Sequence, residues 1–340
     1  MNTRFVELFV CLDCKGALKI IAKTAVGDDV LEGSLCCTRC NRSWAICNRI
    51  PRFIDGPTYA ESFGWQWLKF SRLQRDSYNQ TTLVRDTILK RSGWRPEDLR
   101  DKCVLECGCG SGNDSEVLAS MSKMLVSVDL SESVDSLPAE FLSRENVLVM
   151  RADLHHLPLR ADVFDIVYCH RVIQHTPQPE KAFGAMARHL RAGGVFFLHT
   201  YDTHWKSLLQ YKYWLRPLVR SLSYTSIYKI LCVVGPVFYH LPGVLNRLAF
   251  LRRLVRLLIP FENYGRALRR AGASLTWRER YQYSLLVTFD ALTPRHDNPS
   301  SPAKVATWFQ NHGFIDVVFR ARNPVIALGV KSETTLRVDC

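Results

Sequence analysis

The stretch VLECGCGSGNDSEVLA, residues 104–119, sets the architecture expected for this chain of 340 residues. A short apolar segment is followed by glycines at 108, 110 and 112, and then by a helical pattern that begins near Asn113. A strand, a glycine-rich turn and a helix in this order are typical of a parallel α/β sheet, in which ligands bind beyond the carboxyl ends of the strands. The stretch therefore predicts a ligand-binding loop at the end of a buried strand.

The sequence on either side of this loop continues the alternation of strands and helices. A helical pattern over 179–190 is expected to end at the RAGG sequence, and another begins at the Ser-Pro pair 301–302. Strands are predicted at 103–107, 124–129, 147–150, 164–169, 194–200, 315–321 and 325–331, with the last two forming a hairpin. The predicted fold class is α/β, with a Rossmann-like seven-stranded sheet.

The spacing of the glycines narrows the ligand class. A dinucleotide-binding loop follows the pattern G-x-G-x-x-G, whose third glycine would fall at position 113, and here that residue is Asn113. Glu106 at the end of the strand is unfavourable beside a pyrophosphate but suits a cationic ligand. S-adenosylmethionine carries an ammonium, a sulfonium and no phosphate, and it fits this pattern.

Two further acids are placed to complete such a site. Asp129 ends the second predicted strand, where a carboxylate can accept the ribose hydroxyls, and Asp153 follows the third strand, near the expected adenine amino group. Together with Glu106 they place three acids at three successive strand ends of one crevice. The alternative is an α/β core in which the glycines serve only tight turns.

Residues 99–203 resemble class I S-adenosylmethionine-dependent methyltransferases of the type 11 group, which contains the quinone-biosynthesis methyltransferases. The matching motifs, in order, are VLECGCGSG, VSVDLS, RADLHHLP and FDIVYCHRVIQHTPQPEKAF. Two departures are that Glu106 stands where Asp is commoner, and that VIQHT carries one histidine where many relatives have two. The resemblance implies cofactor contacts from Glu106, Gly108, Gly110, Gly112, Asp129, Leu130, Asp153, Leu154 and His170.

Two C-x-x-C pairs near the amino terminus predict a metal site. Each pair places two thiolates on one side of a tight turn, and two pairs complete a tetrahedral zinc site. Cys36 and Cys47 are two further thiols that could substitute as ligands. The alternatives to a zinc site are buried reduced cysteines or a redox role. The predicted zinc ligands are Cys11, Cys14, Cys37 and Cys40.

The first 57 residues also resemble the zinc-ribbon family that activates tRNA and protein methyltransferases. The usual ending of that family, an aromatic residue before an Ile-Pro stretch, is present as Trp44 and RIPRF. The resemblance implies a structural zinc with a stabilising or docking role, because a closed four-cysteine site has no open position for catalysis. Cys107 and Cys109, in the glycine loop, are expected to be small residues tolerated there rather than metal ligands.

Candidate acceptor-side residues lie at the ends of the fourth and fifth predicted strands. A general base is needed only if the methyl acceptor is a hydroxyl or an acidic carbon. His175 is the best-placed candidate, with a capping or cofactor-shielding role as its alternative. The other candidates are His170, His199, Tyr201 and Asp202.

The residues outside the methyltransferase-like core add a second resemblance, to bacterial methyltransferases with an amino-terminal zinc ribbon that are associated with surface-glycan or secondary-metabolite assembly. The segments that carry it include SFGWQWLKFSRLQRDSYN and TFDALTPRHDNPSSPAKVATWFQNHGF. By this analogy the TPRHDN stretch approaches the active site. It implies substrate contacts from Arg295 and His296, beside Tyr201.

Residues 204–289 hold nearly all of the net charge of +13, with fourteen Lys and Arg against two Glu. Within them 245–261 reads as an amphipathic helix with three arginines on one side. This predicts contact with an anionic membrane surface or, alternatively, a helical lid with solvated arginines. Nucleic acid is a weaker prediction, because the aromatic residues of this segment lie at helical spacing and are expected to be buried.

The organisation expected is a zinc-ribbon-like domain over 1–57, a helical linker or cap over 58–98, a cofactor domain over 99–203 and 290–334, and a basic helical insertion over 204–289. The predicted function is methyl transfer to a small or lipid-linked acceptor, such as a glycan or polyketide intermediate. The alternatives are an RNA methyltransferase that holds RNA with its ribbon and insertion, and a non-catalytic binding protein. Neither a signal peptide nor a membrane span is expected, which favours the cytoplasm, with peripheral contact at the inner face of the membrane.

Overall fold

The amino-terminal residues form a small antiparallel sheet. The computed structural model describes residues 1–203, 211–245, 261, 268 and 272–333. A short 3-10 helix, Thr3–Leu8, precedes four strands that pair in chain order. These strands are β1 (Leu18–Val26), β2 (Asp29–Cys37), β3 (Ser43–Cys47) and β4 (Ile50–Pro51).

A seven-stranded sheet forms the centre of the molecule. Its strands are β5 (Cys103–Cys107), β6 (Met124–Asp129), β7 (Val147–Arg151), β8 (Phe164–His170), β9 (Leu190–Thr200), β10 (Phe314–Arg322) and β11 (Val325–Lys331). The order across the sheet is β10-β11-β9-β8-β5-β6-β7. Strand β11 runs in the opposite direction to the other six strands. The predicted Rossmann-like sheet and its terminal hairpin are confirmed. Because the strand order reverses between β5 and β8, a crevice opens at their carboxyl ends.

Eleven helices are found among the described residues. They are α1 (Glu61–Phe70), α2 (Asp76–Asn79), α3 (Leu83–Ser92), α4 (Pro96–Leu99), α5 (Asn113–Met121), α6 (Ala139–Leu142), α7 (Pro179–Ala187), α8 (Tyr211–Val219), α9 (Tyr224–Leu245), α10 (Trp277–Leu292) and α11 (Pro302–Asn311). Two 3-10 turns lie at Glu132–Ser136 and Ile173–His175. Helix α11 begins at the predicted Ser-Pro pair, with Ser301 accepting from the backbone N–H of Lys304.

The helical pattern over 179–190 is shorter in the structure than predicted. Helix α7 ends at Ala187, and β9 already begins at Leu190. Leu190 pairs with Phe164 at the start of β8, and an irregularity in the register follows before Ile166. The RAGG sequence therefore lies inside strand β9 rather than at a helix cap, as the bulge between Leu190 and Val195, which both pair with β8.

The small sheet packs against the edge strand β7 of the large one. Arg52 and Arg151 form a parallel bridge, and the backbone N–H of Phe53 donates to the carbonyl of Arg151 at 2.8 Å. The ring of Phe53 lies 5.5 Å from that of Phe9 and 5.4 Å from that of Trp44, and all three belong to the same hydrophobic core as the large sheet. The small sheet therefore covers an edge that would otherwise expose unpaired peptide groups.

Helix α1, which precedes the sheet in the chain, packs against α9 and α10, which lie between β9 and β10, above the carboxyl edge of the sheet. The ring of Trp65 on α1 stacks on Phe289 of α10 at 4.8 Å, and Tyr228 of α9 contacts both Trp65 and Phe70. These helices roof the crevice. The amphipathic helix predicted over 245–261 lies outside the described residues, except for its first and last positions. Within the described part of the chain, no helix has the length and apolarity needed to cross a membrane.

Candidate functional site

A cavity of about 610 Å³ lies at the carboxyl ends of β5, β6, β8 and β9. The helices α1, α3 and α10 close it from above with side chains such as Phe63, Thr87 and Leu286. The structure brings most of the predicted site residues to its wall. These are Glu106, Gly108, Gly110, Asp129, Leu130, Leu154, His170, His175 and Tyr201.

The glycine loop is held in a shape that side chains would not tolerate. Gly108 has a φ of +82°, and a Cβ there would overlap the side chain of Val172. The backbone N–H groups of Gly108 and Cys109 both donate to the carbonyl of Val128, at 2.7 and 3.0 Å. A ligand can therefore approach bare backbone at this point of the cavity.

Asp129 ties the glycine loop to the next strand end. Its Oδ2 accepts from the N–H of Gly110 at 2.8 Å, and its Oδ1 accepts from the N–H and the hydroxyl of Ser131 at 2.8 and 2.7 Å. A carboxylate can accept about four hydrogen bonds, so these three leave capacity for about one donor from a ligand. The indole of Trp67 covers the loop, 3.1 Å from where a Cβ on Gly110 would lie.

Glu106 is buried at the floor of the cavity. The hydroxyls of Ser115 and Ser127 donate to its Oε2 at 2.6 and 2.7 Å. Burial and the neighbouring charge of Asp114 raise the pKa of Glu106 to about 8. A cation bound beside this carboxyl would oppose both effects and favour its ionised form.

Asp153 and Gly112 lie outside the wall that the other predicted residues form. Asp153 accepts at Oδ1 from the backbone N–H and the ring of His155, at 2.9 and 2.8 Å. Although burial acts in the other direction, these bonds hold the pKa of Asp153 below its usual value. Tyr59 lines the cavity, and its pKa is raised first by burial and then by the negative charge of Asp153. Gly112, with a φ of +83°, forms the amino-terminal cap of α5 instead.

His170 belongs to a buried network. Its Nδ1–H donates to Asp114 at 2.5 Å, and Arg91 donates to its Nε2 at 2.6 Å and to Nδ1 of His199 at 3.4 Å. Tyr168 also donates to Asp114, at 2.9 Å. Burial lowers the pKa of His170 and, more strongly, that of His199. Both rings are therefore neutral, and the lone pair of His170 is already engaged by Arg91.

His175 is arranged differently from His170. Its Nδ1–H donates to the backbone carbonyl of His296 at 3.0 Å, which leaves Nε2 as the nitrogen that can take a proton. Its ring contacts Phe63 at 4.9 Å and the edge of Tyr201 at 5.7 Å. Burial lowers the pKa of His175, so the imidazole is neutral, with its lone pair at Nε2. Of the predicted histidines lining the cavity, this one has the geometry of a general base.

Several residues of the cavity were not predicted from the sequence. Asp290 on α10 lines it, and Gln66 on α1 donates to its Oδ1 at 2.9 Å across 224 residues of chain. Arg91 and Asp114, which bracket His170, were also missed. The aromatic run SFGWQWLKF indicated a cap, but nothing in the local pattern indicated which of its side chains face the ligand.

Arg295 and His296 line a second cavity rather than the first. This second cavity has a volume of about 350 Å³, and Arg216, Arg220 and Asp297 also line it. The backbone carbonyl of His296 nevertheless holds His175, so the two cavities lie on either side of this residue.

The four amino-terminal cysteines converge as predicted. The Sγ atoms of Cys11, Cys14, Cys37 and Cys40 all lie within 4.8 Å of one another. Cys11 and Cys40 are 3.5 Å apart and Cys14 and Cys37 are 3.4 Å apart, close to the roughly 3.8 Å that four Zn–S bonds of about 2.3 Å impose. Backbone N–H groups of Cys40 and Arg39 donate to Cys37 and lower the pKa of its thiol to about 6, which favours the thiolate. This donor set fits tetrahedral zinc.

The cysteines of the sheet have the opposite environment. Cys107, Cys109 and Cys169 are buried, and burial raises the pKa of each thiol. Such thiols stay protonated and are poor metal ligands.

Comparison with known proteins places the chain beside methyltransferases. Residues 105–198 match the model of a family described as a methyltransferase domain. A ubiquinone biosynthesis O-methyltransferase from Coxiella burnetii is 31% identical over 113 residues, covering 33% of this chain and 48% of that protein. One from Aromatoleum aromaticum is 31% identical over 152 residues, covering 42% and 64%. The chain spans about half the length of the curated relatives it matches.

Among solved structures, one chain of the complex between the Haloferax volcanii Trm112 methyltransferase activator and the putative methyltransferase is 12% identical to this chain. The match covers 80% of this chain and 98% of that chain, with a TM-score of 0.42.

Proposed function

We propose that this protein is an S-adenosylmethionine-dependent methyltransferase whose acceptor is a small or lipid-linked molecule. The observation that carries the proposal is the convergence of a bare glycine loop, Glu106 and Asp129 on one cavity at the point where the strand order reverses. The match of residues 105–198 to a methyltransferase domain supports it independently.

The residues of the cavity fit S-adenosylmethionine by charge and by hydrogen-bonding capacity. Glu106 is a buried carboxyl whose ionised form a cationic ligand would stabilise. Asp129 retains capacity for about one ribose hydroxyl. Asp153 lies outside the wall, next to the wall residue Leu154, and holds His155 through Oδ1, which leaves Oδ2 for the adenine amino group at the edge of the cavity. When bound, the cofactor would supply an electrophilic methyl group on its sulfonium.

On the acceptor side, the chain's residues favour a hydroxyl or similarly acidic acceptor. His175 is neutral and fixed by the carbonyl of His296, so its Nε2 can take the proton that an acceptor hydroxyl loses as the O–C bond forms. Tyr201 and Phe63 pack against its ring and hold its plane. The apolar side chains Leu286 and Val287 of α10 would exclude water from the remaining wall.

Two helices of the basic insertion support a lipid-linked acceptor. Helix α9 exposes Ile230, Val233 and Val237 within one arc, and α8 exposes Trp214 and Leu218. Residues 211–245 carry four Lys and Arg and no acid. Exposed apolar side chains within a purely cationic segment suit the surface of an anionic membrane, from which a lipid-linked acceptor would enter.

We also propose that the four-cysteine cluster holds a structural zinc ion. The support is the fit of sulfur separations to tetrahedral geometry and the lowered pKa of Cys37. Because the small sheet shares its core with β7, the metal would stabilise the edge of the large sheet rather than take part in the reaction.

The test is transfer of labelled methyl from S-adenosylmethionine into fractionated extract of the source cells, together with a calorimetric titration of the cofactor. Label in the lipid or soluble metabolite fraction supports the proposal. Label in RNA would overturn the proposed class of acceptor. Failure to bind S-adenosylmethionine would overturn the proposed methyltransferase activity.

A further inference from the structure

The second cavity concentrates positive charge beyond what its one carboxylate can balance. Its wall includes Arg216, Arg220 and Arg295, against the single carboxylate of Asp297. That carboxylate is already paired with Arg216 and lies 3.7 Å from Nζ of Lys212. Within the described ranges, neither Arg220 nor Arg295 has a carboxylate within ion-pair distance. Two arginines therefore face a concave surface with their charge uncompensated.

Two further groups in this wall show what kind of ligand it suits. Oδ1 of Asp297 is buried and finds no hydrogen-bond partner among the described residues, so a ligand hydroxyl could donate to it. Burial, the charge of Asp297 and a hydrogen bond to that carboxylate raise the pKa of Tyr213 to about 12, so its hydroxyl stays protonated and is directed at Asp297. Two cationic arginines beside one unsatisfied acceptor suit a phosphate group that carries a hydroxyl nearby.

We propose that the second cavity binds a phosphate ester, with Arg220 and Arg295 on the phosphoryl oxygens and Asp297 accepting from an adjacent hydroxyl. The binding does not depend on the proposed methyl transfer. A coupling between the two does: His296 is part of the wall of the second cavity, while its carbonyl holds His175 and its ring contacts Tyr59 in the first. A bound phosphate ester would thus lie one residue away from the proposed base.

The ligand could come from two sources, and the experiment separates them. Glycerol 3-phosphate is titrated into the full-length protein by calorimetry, with inorganic phosphate as the probe that lacks the hydroxyl. Flotation with phosphatidylcholine vesicles, with or without 30 mol% phosphatidylglycerol, tests a lipid headgroup as the source. Arg220→Ala combined with Arg295→Ala is compared with Arg100→Ala, an exposed arginine just before the amino end of β5, at the opposite edge of the sheet.

We expect the double variant to lose about tenfold or more in affinity for glycerol 3-phosphate or for the anionic vesicles, because each arginine makes charge-assisted bonds. The Arg100 variant should bind like the wild type. Binding of glycerol 3-phosphate identifies a soluble ester, and binding of phosphatidylglycerol vesicles alone identifies a lipid headgroup. Absence of binding by the wild type to either probe overturns the proposal, as does equal binding by the double variant. Equal affinity for inorganic phosphate would overturn the role of Asp297.

Cofactor titration on the same samples separates this inference from the proposed function. A double variant that binds S-adenosylmethionine like the wild type is correctly folded, so its loss of phosphate ester belongs to the second cavity. If the wild type binds the ester but not S-adenosylmethionine, the proposed function is wrong and the phosphate site stands.

Discussion

The two sides of the main cavity are built in different ways. The sheet side presents the glycine loop and the carboxyls of Glu106 and Asp129, all within about 25 residues of chain, and Asp153 lies just beyond it. The helical side presents rings and a carboxylate from elements far apart in sequence, as in the Gln66–Asp290 hydrogen bond. This difference separates their expected roles: the sheet side should control cofactor binding, and the helical side should control what happens to the acceptor.

The largest effect should come from His175, which follows strand β8 but is held in place by Phe63 of the helical side and by the carbonyl of His296. Replacing His175 with Ala removes the proposed base, and we expect turnover to fall by about a hundred- to ten-thousandfold. Cofactor affinity, measured by calorimetry, should change by less than about twofold. If cofactor affinity fell together with turnover, His175 would belong to the cofactor-binding side, and the proposed separation of cofactor and acceptor sides would be wrong.

On the sheet side, Gly108→Ala should weaken cofactor binding by about a hundredfold. The new Cβ overlaps Val172 and the backbone has a φ of +82°, so overpacking and strain of a few kcal/mol combine. The matched control is Gly193→Ala, which also has a positive φ, +70°, but meets nothing within 4 Å. Equal cofactor affinities in the two variants would contradict a specific role for the glycine loop.

The pH dependence of cofactor affinity sharpens the assignment of Glu106. In the free protein its pKa is about 8, and a cationic ligand favours the ionised form. Affinity should therefore rise by up to about tenfold per pH unit between pH 6 and 8 and level off above. Glu106→Gln should remove this slope. Because the ligand's own titration is common to both proteins, the difference between their profiles isolates Glu106, and identical profiles would exclude it.

Glu106 also makes a stability prediction with a definite sign. Its pKa is raised from 4.5 to about 8 on folding, so between these values the folded state binds more protons than the unfolded state. The free energy of unfolding should then fall as pH rises from about 4.5 to 8. Comparison of urea unfolding curves with those of Glu106→Gln checks this, and a larger pH dependence in the variant would contradict it.

The smallest effect on the cavity should come from metal removal. Chelation with a zinc-binding agent should lower Tm by about 2–4 °C for each kcal/mol of stability lost. Cofactor affinity should remain within about twofold, because none of the four cysteines lines the main cavity. Cys37→Ser should reproduce the lower Tm, whereas Cys36→Ser, outside the cluster, should not.

Much of the sheet side was predictable because its signals are local. The glycines at 108 and 110 and the acid at 129 follow strands whose apolar runs mark their ends, and parallel strands bring those ends to one edge. The cysteine knuckles are local for the same reason, since each C-x-x-C turn aims two thiols in one direction. The limits of β9 were not predicted, because pairing with Phe164 outweighed the glycines of RAGG.

The helical side was beyond local patterns because its contacts join distant segments. Arg91 engages His170 across 79 residues, and His296, a wall residue of the second cavity, holds His175 of the first through its carbonyl. The periodicity of a helix shows which face is buried but not which partner it meets. The chain's local chemistry thus specified the strands, the glycine loop and the cysteine cluster. The docking of the helices brought Gln66 to Asp290 and Arg91 to His170, because side-chain convergence over such distances depends on packing between elements rather than on the order of residues within them.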